Sequence, residues 1–410
     1  MRRALACRDF RLLWISQALS TVGDRLVLVV LALYVNDIGT PTDVGIVLAA
    51  NAIPFVGLLL IGGVWADRLP RHRVMVATDV IRGVLHALLA VLILAGEVPI
   101  WAIAAIEAVF GAAQAFFRPA YTGLLPQTVP TDLLQEAQAV TWMTYNVSGF
   151  LGPALASVLF LTAGAATAFA IDAATFFAGA ALLAAIRPRE DRRRAARAPL
   201  LSELAGGWRE VRARPWAMLT IANASVALLL AVAPFQALGP AIAAEAYDEA
   251  AVYGVIGAIA GAGSIVGSLL ASRWSPQRPL LVAALFEVSW PLGHMAFAGG
   301  LPLLGLAPFV FVGGAGLGLW LVWWETALAR EIPPAALSRV SAFDWMGSLG
   351  LLPLGFLLAG PLGEAFGVRE TLFAGAATAL VVQLLIATSR PIRTFQSKSG
   401  TPASGVEASA

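Results

Sequence analysis

Long apolar stretches, each closed by a short polar segment, follow one another along the whole chain. About 20 consecutive apolar residues are enough for a helix to cross a bilayer, and we count twelve stretches of this length. They cover 12–35, 44–65, 74–95, 99–118, 138–161, 165–186, 216–239, 251–272, 279–298, 302–325, 340–362 and 371–389. The pattern predicts an all-α membrane protein with twelve transmembrane helices and no separate soluble domain.

The composition agrees with this interpretation. Of the 410 residues, 59% are hydrophobic and 13% are charged, whereas a soluble domain carries about 25% charged residues. The first apolar stretch is too long for the core of a signal peptide and lacks a convincing cleavage site, so we expect it to remain as a span. Because Cys7 is the single cysteine, an internal disulfide is excluded.

The basic residues predict how the chain lies in the membrane. Of the 27 lysines and arginines, 24 precede the first span, follow an even-numbered span or lie in the tail. Positive charge is retained on the cytoplasmic side of a membrane. We therefore expect both termini in the cytoplasm, and the near-total preference for Arg over Lys suggests a GC-rich bacterial genome and hence a bacterial inner-membrane protein. The same bias explains the arginine-rich central connector without any nucleic-acid partner.

A repeat divides the chain into two halves. A shift of 204 residues superposes Gly57 on Gly261 and Gly63 on Gly267, with further matches downstream. Residues 200–211 of the connector are expected to form an amphipathic helix on the membrane surface. The predicted domains are a six-helix bundle over 1–186, a cytoplasmic linker over 187–215, a second six-helix bundle over 216–390 and a disordered cytoplasmic tail over 391–410. Two pseudo-symmetric bundles around a central site are typical of secondary transporters.

Ionisable residues at membrane depth are costly and therefore suggest function. Asp24 lies near the middle of the first span, Glu107 near the middle of the fourth, and Asp172 in the sixth. Because burial favours the protonated form of an acid, these three are candidate proton carriers. For Asp172, a hydrogen bond to a neighbouring helix is an equal alternative. Arg25 is expected to pair with Asp24 or Glu107.

Two further groups of residues at membrane depth have different expected roles. Asp79 and Arg82 share one face of the third span with His86, and a buried pair of opposite charges suits helix packing better than transport. Five side chains are candidates for lining a substrate cavity. These are Gln114, Arg118, Asn146, Trp290 and Trp320. Most tryptophans fit an interfacial belt, but Trp290 and Trp320 lie deeper, which favours a bulky hydrophobic substrate.

The loop after the second span, "GVWADRLPRHR", resembles the loop signature of the major facilitator superfamily. That signature is a glycine, three residues, Asp-Arg and then a basic cluster. The resemblance implies that Gly63, Asp67, Arg68 and Arg71 latch the two halves together on the cytoplasmic side. This sequence departs from the signature at Pro70, where the family usually has a second glycine.

Other stretches narrow the resemblance. "FFRPAYTGLLPQTVPTDLLQEAQA", "GFLGPALASVL" and "AFAIDAATF" resemble transporters of the enterobactin-exporter and macrolide-efflux type. Gly149, Gly152 and Pro153 resemble the fifth-span motif associated with export, although Ala156 and Ser157 replace its further glycine pair. The resemblance implies alternating access and export of an amphipathic drug, siderophore or secondary metabolite in exchange for protons. The protein is expected to function as a monomer.

Other classes of function fit less well. Import, or uncoupled passage of a metabolite or lipid-like solute, stays open as an alternative. An ATP-driven pump needs a phosphate-binding loop with a lysine, but Lys398 in the tail is the only lysine. A membrane-embedded enzyme would need clustered metal ligands or a nucleophile elbow, and neither is recognisable. We expect no cofactor and no metal.

Overall fold

The computed structural model describes residues 2–96, 98–187, 200–274 and 276–396. Within these ranges, 11 helical segments are long and apolar enough to cross a membrane. One of them, Glu136–Ala184, has 49 residues, and its backbone leaves the helical conformation at Gly164, with φ 75° and ψ 169°. Only glycine adopts this conformation readily. The segment therefore contains two passes, and the described residues are consistent with the twelve predicted spans.

We number these passes as spans 1 to 12 in chain order. Spans 7, 9 and 11 contain interruptions of the α-helix, at Leu228–Val232, near Val288 and between Leu349 and Leu352. The bounds are Arg8–Ile38, Pro41–Arg68, Arg71–Ala95, Ile100–Thr128, 134–163, 165–184, Pro215–Tyr247, Val252–Arg273, Pro279–Ala298, Leu303–Glu331, 334–366 and Val368–Thr388. Three short helices flank the spans: Arg2–Ala6 before span 1, Thr131–Leu133 before span 5, and Arg390–Thr394 after span 12.

The linker and the tail contain helices of their own. Leu200–Arg212 forms a helix before span 7, and its Val211 is buried in an apolar cluster of the second half. Residues 188–199 of the predicted linker and 397–410 of the predicted tail lie outside the described residues. The tail was expected to be disordered from residue 391, but its first residues are helical because Ile392 is buried in the same cluster.

The two halves repeat one close helix contact. In the first half, spans 2 and 4 approach so closely that a Cβ atom on Gly111 would lie 2.0 Å from the Asn51 carbonyl oxygen. Spans 8 and 10 are the equivalent pair in the second half, where a Cβ on Gly267 would lie 2.0 Å from the Ala315 carbonyl oxygen. Small residues allow such close backbone approach between transmembrane helices. The repeat in the sequence thus recurs as equivalent helix pairs.

The halves meet differently at the two membrane faces. We call the face where the even-numbered spans end the arginine-rich face, and the other one the opposite face. Near the opposite face, one apolar core contains residues of both halves, such as Val30 and Phe356. Near the arginine-rich face, each half has apolar cores of its own. The halves are therefore closed against each other at the opposite face.

Candidate functional site

A cavity of about 370 Å³ lies between the two halves. Spans 1 and 5 line it from the first half, and spans 7 to 10 from the second. The first half contributes Arg25, Leu28, Val29, Tyr145, Asn146, Gly149 and Pro153, and the second half contributes among others Phe235, Gln236, Tyr253, Trp290, His294, Phe297 and Phe309. In the described part of the chain this wall contains one guanidinium, several polar groups and no carboxylate. The cavity is therefore amphipathic.

Arg25 faces the cavity and contacts an aromatic side chain. Its guanidinium donates a hydrogen bond to the Tyr145 hydroxyl and lies 4.7 Å from the centre of the Tyr145 ring. The sequence predicted that Arg25 pairs with Asp24 or Glu107, and this prediction is wrong. Among the described residues, no carboxylate lies within 4 Å of Arg25. Consecutive helix residues point about 100° apart. Asp24 therefore turns into the first half, whereas Arg25 turns toward the second.

A buried group of carboxyls occupies the interior of the first half. The Arg82 guanidinium donates a hydrogen bond to Asp79, in agreement with the predicted pair on span 3. It also lies 3.7 Å from the Asp24 carboxylate of span 1. The guanidinium plane packs against the Phe117 and Phe176 rings, at 4.3 and 4.4 Å from their centres. Arg82 therefore joins two acids and two aromatic rings from four helices.

A second set of contacts extends this group through a histidine. His86 Nδ1 lies 2.5 Å from Asp172 Oδ2 of span 6, and His86 Nε2 lies 3.5 Å from Glu107 Oε1 of span 4. The Asn51 amide of span 2 donates a 2.8 Å hydrogen bond to the other Glu107 oxygen. The imidazole stacks on Phe110 with 4.3 Å between ring centres. His86 thus links two of the predicted proton carriers.

The charges of this group do not balance. We define the acid cluster as Asp24, Asp79, Arg82, His86, Glu107 and Asp172, which is four carboxyls against one guanidinium and one imidazole. All but Asp24 are at most 2% exposed, whereas the Asp24 side chain is 28% exposed. Since unpaired buried charge is costly, such a group can take up and hold protons. Asp24 is its most accessible member.

Of the five residues predicted to line the cavity, two do so in the structure and three do not. Asn146 and Trp290 line the cavity, whereas Gln114, Arg118 and Trp320 do not. Arg118 instead lies 4.6 Å from the centre of the Trp345 ring, across the contact between the halves. Trp320 stacks on Trp324 with 6.0 Å between ring centres, and it lines a separate, water-sized pocket.

The predicted latch lies at the end of span 2 and the start of span 3. Gly63, Asp67 and Arg68 belong to the helix that ends at Arg68, but their side chains lie outside the described residues. Arg71 donates a 2.6 Å hydrogen bond to the carbonyl oxygen of Gly123 in span 4. This described contact joins helices within the first half.

The predicted export motif lies where span 5 crosses spans 1 and 8. A Cβ on Gly152 would lie 2.3 Å from the Cβ of Arg25. The Gly149 carbonyl oxygen would lie 2.4 Å from a Cβ on Gly261 of the second half, and Pro153 packs against span 8 as well. The motif therefore keeps span 5 close to the arginine of the cavity and to the other half.

Several residues of the site were missed by sequence reasoning. Asn51 binds Glu107 and Tyr145 binds Arg25, but both are uncharged, and among the uncharged amide and hydroxyl side chains at membrane depth only Gln114 and Asn146 were predicted to belong to the site. His86 was assigned to the same face as Asp79, yet its bridging contacts were not expected. A search for every polar residue within the apolar stretches would have included all three.

Comparison with solved structures defines the class of protein. The nucleoside transporter NupG covers 94% of this chain and 99% of its own, with a TM-score of 0.68 and 14% identity. A bacterial homologue of the human lysosomal transporter Spinster, inward-facing and unoccupied, covers 92% and 95%, with a TM-score of 0.70 and 16% identity. At these identities the likeness shows the fold alone, which is that of major facilitator transporters.

Comparison of sequences then identifies the family. Residues 4–408 match the family described as transmembrane secretion effector, a branch of the major facilitator superfamily, and the chain belongs to this family. Macrolide efflux protein A of Streptococcus pyogenes is 25% identical over 379 residues, which are 88% of this chain and 91% of that protein. The multidrug efflux pump Tap of Mycolicibacterium fortuitum is 25% identical over 352 residues, 82% and 84% of the two chains. The protein is a multi-pass membrane transporter and not an enzyme, as the sequence predicts.

Proposed function

We propose that this transporter exports an amphipathic small molecule from the bacterial cytoplasm in exchange for protons. It acts as a monomer in the inner membrane, with both termini in the cytoplasm. The observation that carries the proposal is the acid cluster, with its excess of carboxyls beside an amphipathic cavity between the two halves. Relatives named as efflux proteins support the direction of transport.

The orientation follows from the arginines. If the arginine-rich face is cytoplasmic, the halves are closed on the outer side, and this conformation is the one that takes up substrate from the cytoplasm or the inner leaflet. The reverse movement, closing the cytoplasmic side, is the step in which the latch of Gly63, Asp67, Arg68 and Arg71 is proposed to act. Alternating access then requires only that the halves rock about the cavity.

Coupling is assigned to Asp24 and Glu107, with Asp172 as a second candidate. A proton on Asp24 weakens its attraction to Arg82, and a proton on Glu107 weakens its attraction to a charged His86. These contacts join spans 1 and 4 to span 3. Proton uptake therefore changes the relative stability of helix arrangements in the first half, which is what biases a transporter between two conformations.

The test measures transport into everted membrane vesicles under an imposed pH gradient. The dyes are ethidium as a cation, phenylnaphthylamine as a neutral molecule and anilinonaphthalene sulfonate as an anion. We expect a dye to accumulate, and the accumulation to collapse when nigericin removes the gradient. The double variant Asp24→Asn, Glu107→Gln should lose accumulation but retain downhill exchange of the dye. Glu245→Gln, which changes an exposed acid near the opposite face, is the matched control.

Two results would overturn the proposal. Accumulation by the double variant equal to that of the wild type would remove Asp24 and Glu107 from coupling. Transport that does not depend on the pH gradient would favour the uncoupled alternative. Transport of the dye out of everted vesicles would favour import.

A further inference from the structure

The wall of the central cavity carries a positive charge that no described acid neutralises. Arg25 is the guanidinium in this wall, and its described polar partner is the neutral Tyr145. The two acids expected to pair with Arg25 have other partners: Asp24 lies beside Arg82, and Glu107 is held by Asn51 and His86. Unpaired charges at membrane depth are retained where they have a use.

A second guanidinium lies between the halves. Arg118 packs on the face of Trp345 in span 11, and within the described residues no carboxylate lies within 4 Å of it. Arginine can lie on an aromatic face and still donate hydrogen bonds to an anion, and Arg118 also interacts with the Tyr145 hydroxyl. The region between the halves is thus cationic at two points, whereas the first-half carboxyls of Asp24, Asp79, Glu107 and Asp172 belong to the acid cluster.

The hydrogen bond between Arg25 and Tyr145 prepares this part of the cavity for an acidic group. The Tyr145 hydroxyl accepts a hydrogen from Arg25, so its own hydrogen is available for donation. Guanidinium and phenol can therefore donate together to one anionic oxygen pair, and hydrogen bonds between charged groups are about twice as strong as neutral ones. The same arrangement repels a cation, which provides discrimination as well as affinity.

The wall of the cavity that the second half contributes, across from Arg25, is largely apolar and aromatic. Phe235, Trp290 and Phe309 of the second half contribute rings to this wall. The Trp290 ring stands edge-on to His294, with 5.2 Å between centres. A volume of about 370 Å³ lies within the range of about 300–1,000 Å³ that is usual for small-molecule sites. The cavity therefore suits a molecule with one polar end and a ring-containing body.

From this distribution of charge, and resting on the proposed function, we propose that the transported molecule is an amphipathic organic anion. Its carboxylate, sulfonate or phosphate binds Arg25 and Tyr145, and its apolar body lies against Phe235, Trp290 and Phe309. Amphipathic amines are then poor ligands of this cavity.

The test compares two dyes that differ in one group. Anilinonaphthalene sulfonate carries a sulfonate, and phenylnaphthylamine has the same rings without it. Binding of each dye to the purified protein in lipid nanodiscs is measured by fluorescence, with empty nanodiscs subtracted. We expect the sulfonate dye to bind about tenfold more tightly, because one charge-assisted contact distinguishes the two. Tetraphenylphosphonium, a bulky cation, should not displace it.

The variants assign the preference to named groups. Arg25→Gln should abolish the preference, so that the two dyes bind with similar affinity, and Arg25→Lys should keep part of it. Tyr145→Phe keeps the ring under the guanidinium and should weaken sulfonate binding alone. Arg273→Gln, at the exposed end of span 8, is the matched control and should behave as the wild type.

Equal binding of the two dyes by the wild type would overturn the proposal, whichever variants fold. A preference that survives Arg25→Gln, in protein that still binds phenylnaphthylamine, would also overturn it. The assay needs no proton gradient, so its failure is distinct from that of the proposed function. Gradient-driven transport of ethidium with no preference for the sulfonate would reject the substrate class alone, whereas an intact preference without gradient-driven transport would reject proton coupling alone.

Discussion

One added methyl group at Gly45 should open the contact that closes the opposite face. Gly45 of span 2 lies against span 11, where a Cβ would come 2.4 Å from the Phe356 carbonyl oxygen. Ordinary contacts of a Cβ begin at 3.4 Å, so the two helices must separate by about 1 Å. The obstacle is a backbone atom and cannot rotate away. Overpacking of this kind costs about 1–3 kcal/mol.

This cost falls on the conformation in which spans 2 and 11 meet, and not on one in which the halves separate there. A difference of about 1–3 kcal/mol changes the ratio of two conformations by about 5- to 150-fold. Alanine also stabilises a helix relative to glycine by about 0.5–1 kcal/mol, but this gain is the same in both conformations. Gly57→Ala in the same span is the control, because among the described residues no heavy atom outside its own stretch of helix lies within 4 Å of its Cβ.

The assay is pulsed electron paramagnetic resonance between two spin labels at the opposite face. The labels are attached to cysteines at exposed positions of the two halves, Asp37→Cys and Glu249→Cys, in a Cys7→Ser background. Gly45→Ala should increase the population of long distances, whereas Gly57→Ala should not. Identical distance distributions in the two variants would refute the reasoning, since the contact at Gly45 would then not hold the halves together.

Three changes should lower the thermal stability of the purified protein. Arg82→Met leaves the buried Asp79 without its cation, which costs about 3–5 kcal/mol; a melting temperature close to that of the wild type would contradict the assigned pairing. Gly164→Ala forces a side chain into the turn between spans 5 and 6 at a cost of about 1–3 kcal/mol, and an unchanged melting temperature would mean that the turn adopts another conformation. Ser225→Ala removes the 2.7 Å hydrogen bond to the Gly347 carbonyl oxygen between spans 7 and 11, for a loss of about 1 kcal/mol in denaturant titration, and no loss would show that this bond contributes nothing.

The spans could be predicted because a bilayer allows little else. Backbone polar groups in lipid must be satisfied within the segment, so every long apolar stretch becomes a helix. The interruptions within spans could not be predicted. The π-helical turn Leu228–Val232 of span 7 lies in a run of apolar residues, where no alternation of residue type indicates a change in hydrogen bonding. The helical start of the tail depends on the burial of Ile392, which is a tertiary contact.

For the residues of the site, contacts within one helix could be predicted from the sequence, whereas contacts between helices could not. Asp79 and Arg82 could be paired from the sequence because they lie three positions apart on one helix. The contacts of His86 with Asp172 and Glu107 join different helices, and they depend on how each helix is rotated, which spacing alone does not give. For Arg25, the same missing information led to the expectation of a carboxylate partner.

Asp24 and Arg25 connect the two proposed sites through a single peptide bond. Asp24 contacts the acid cluster through Arg82, and Arg25 contacts the cavity wall at Tyr145. Any rotation or shift of span 1 therefore moves a member of each site at once. Energetic coupling between the acid cluster and the cavity then needs no chain of intermediate residues. Because a proton on Asp24 weakens one set of contacts of span 1 and an anion at Arg25 strengthens the other, each ligand changes the position of the helix that the other ligand contacts.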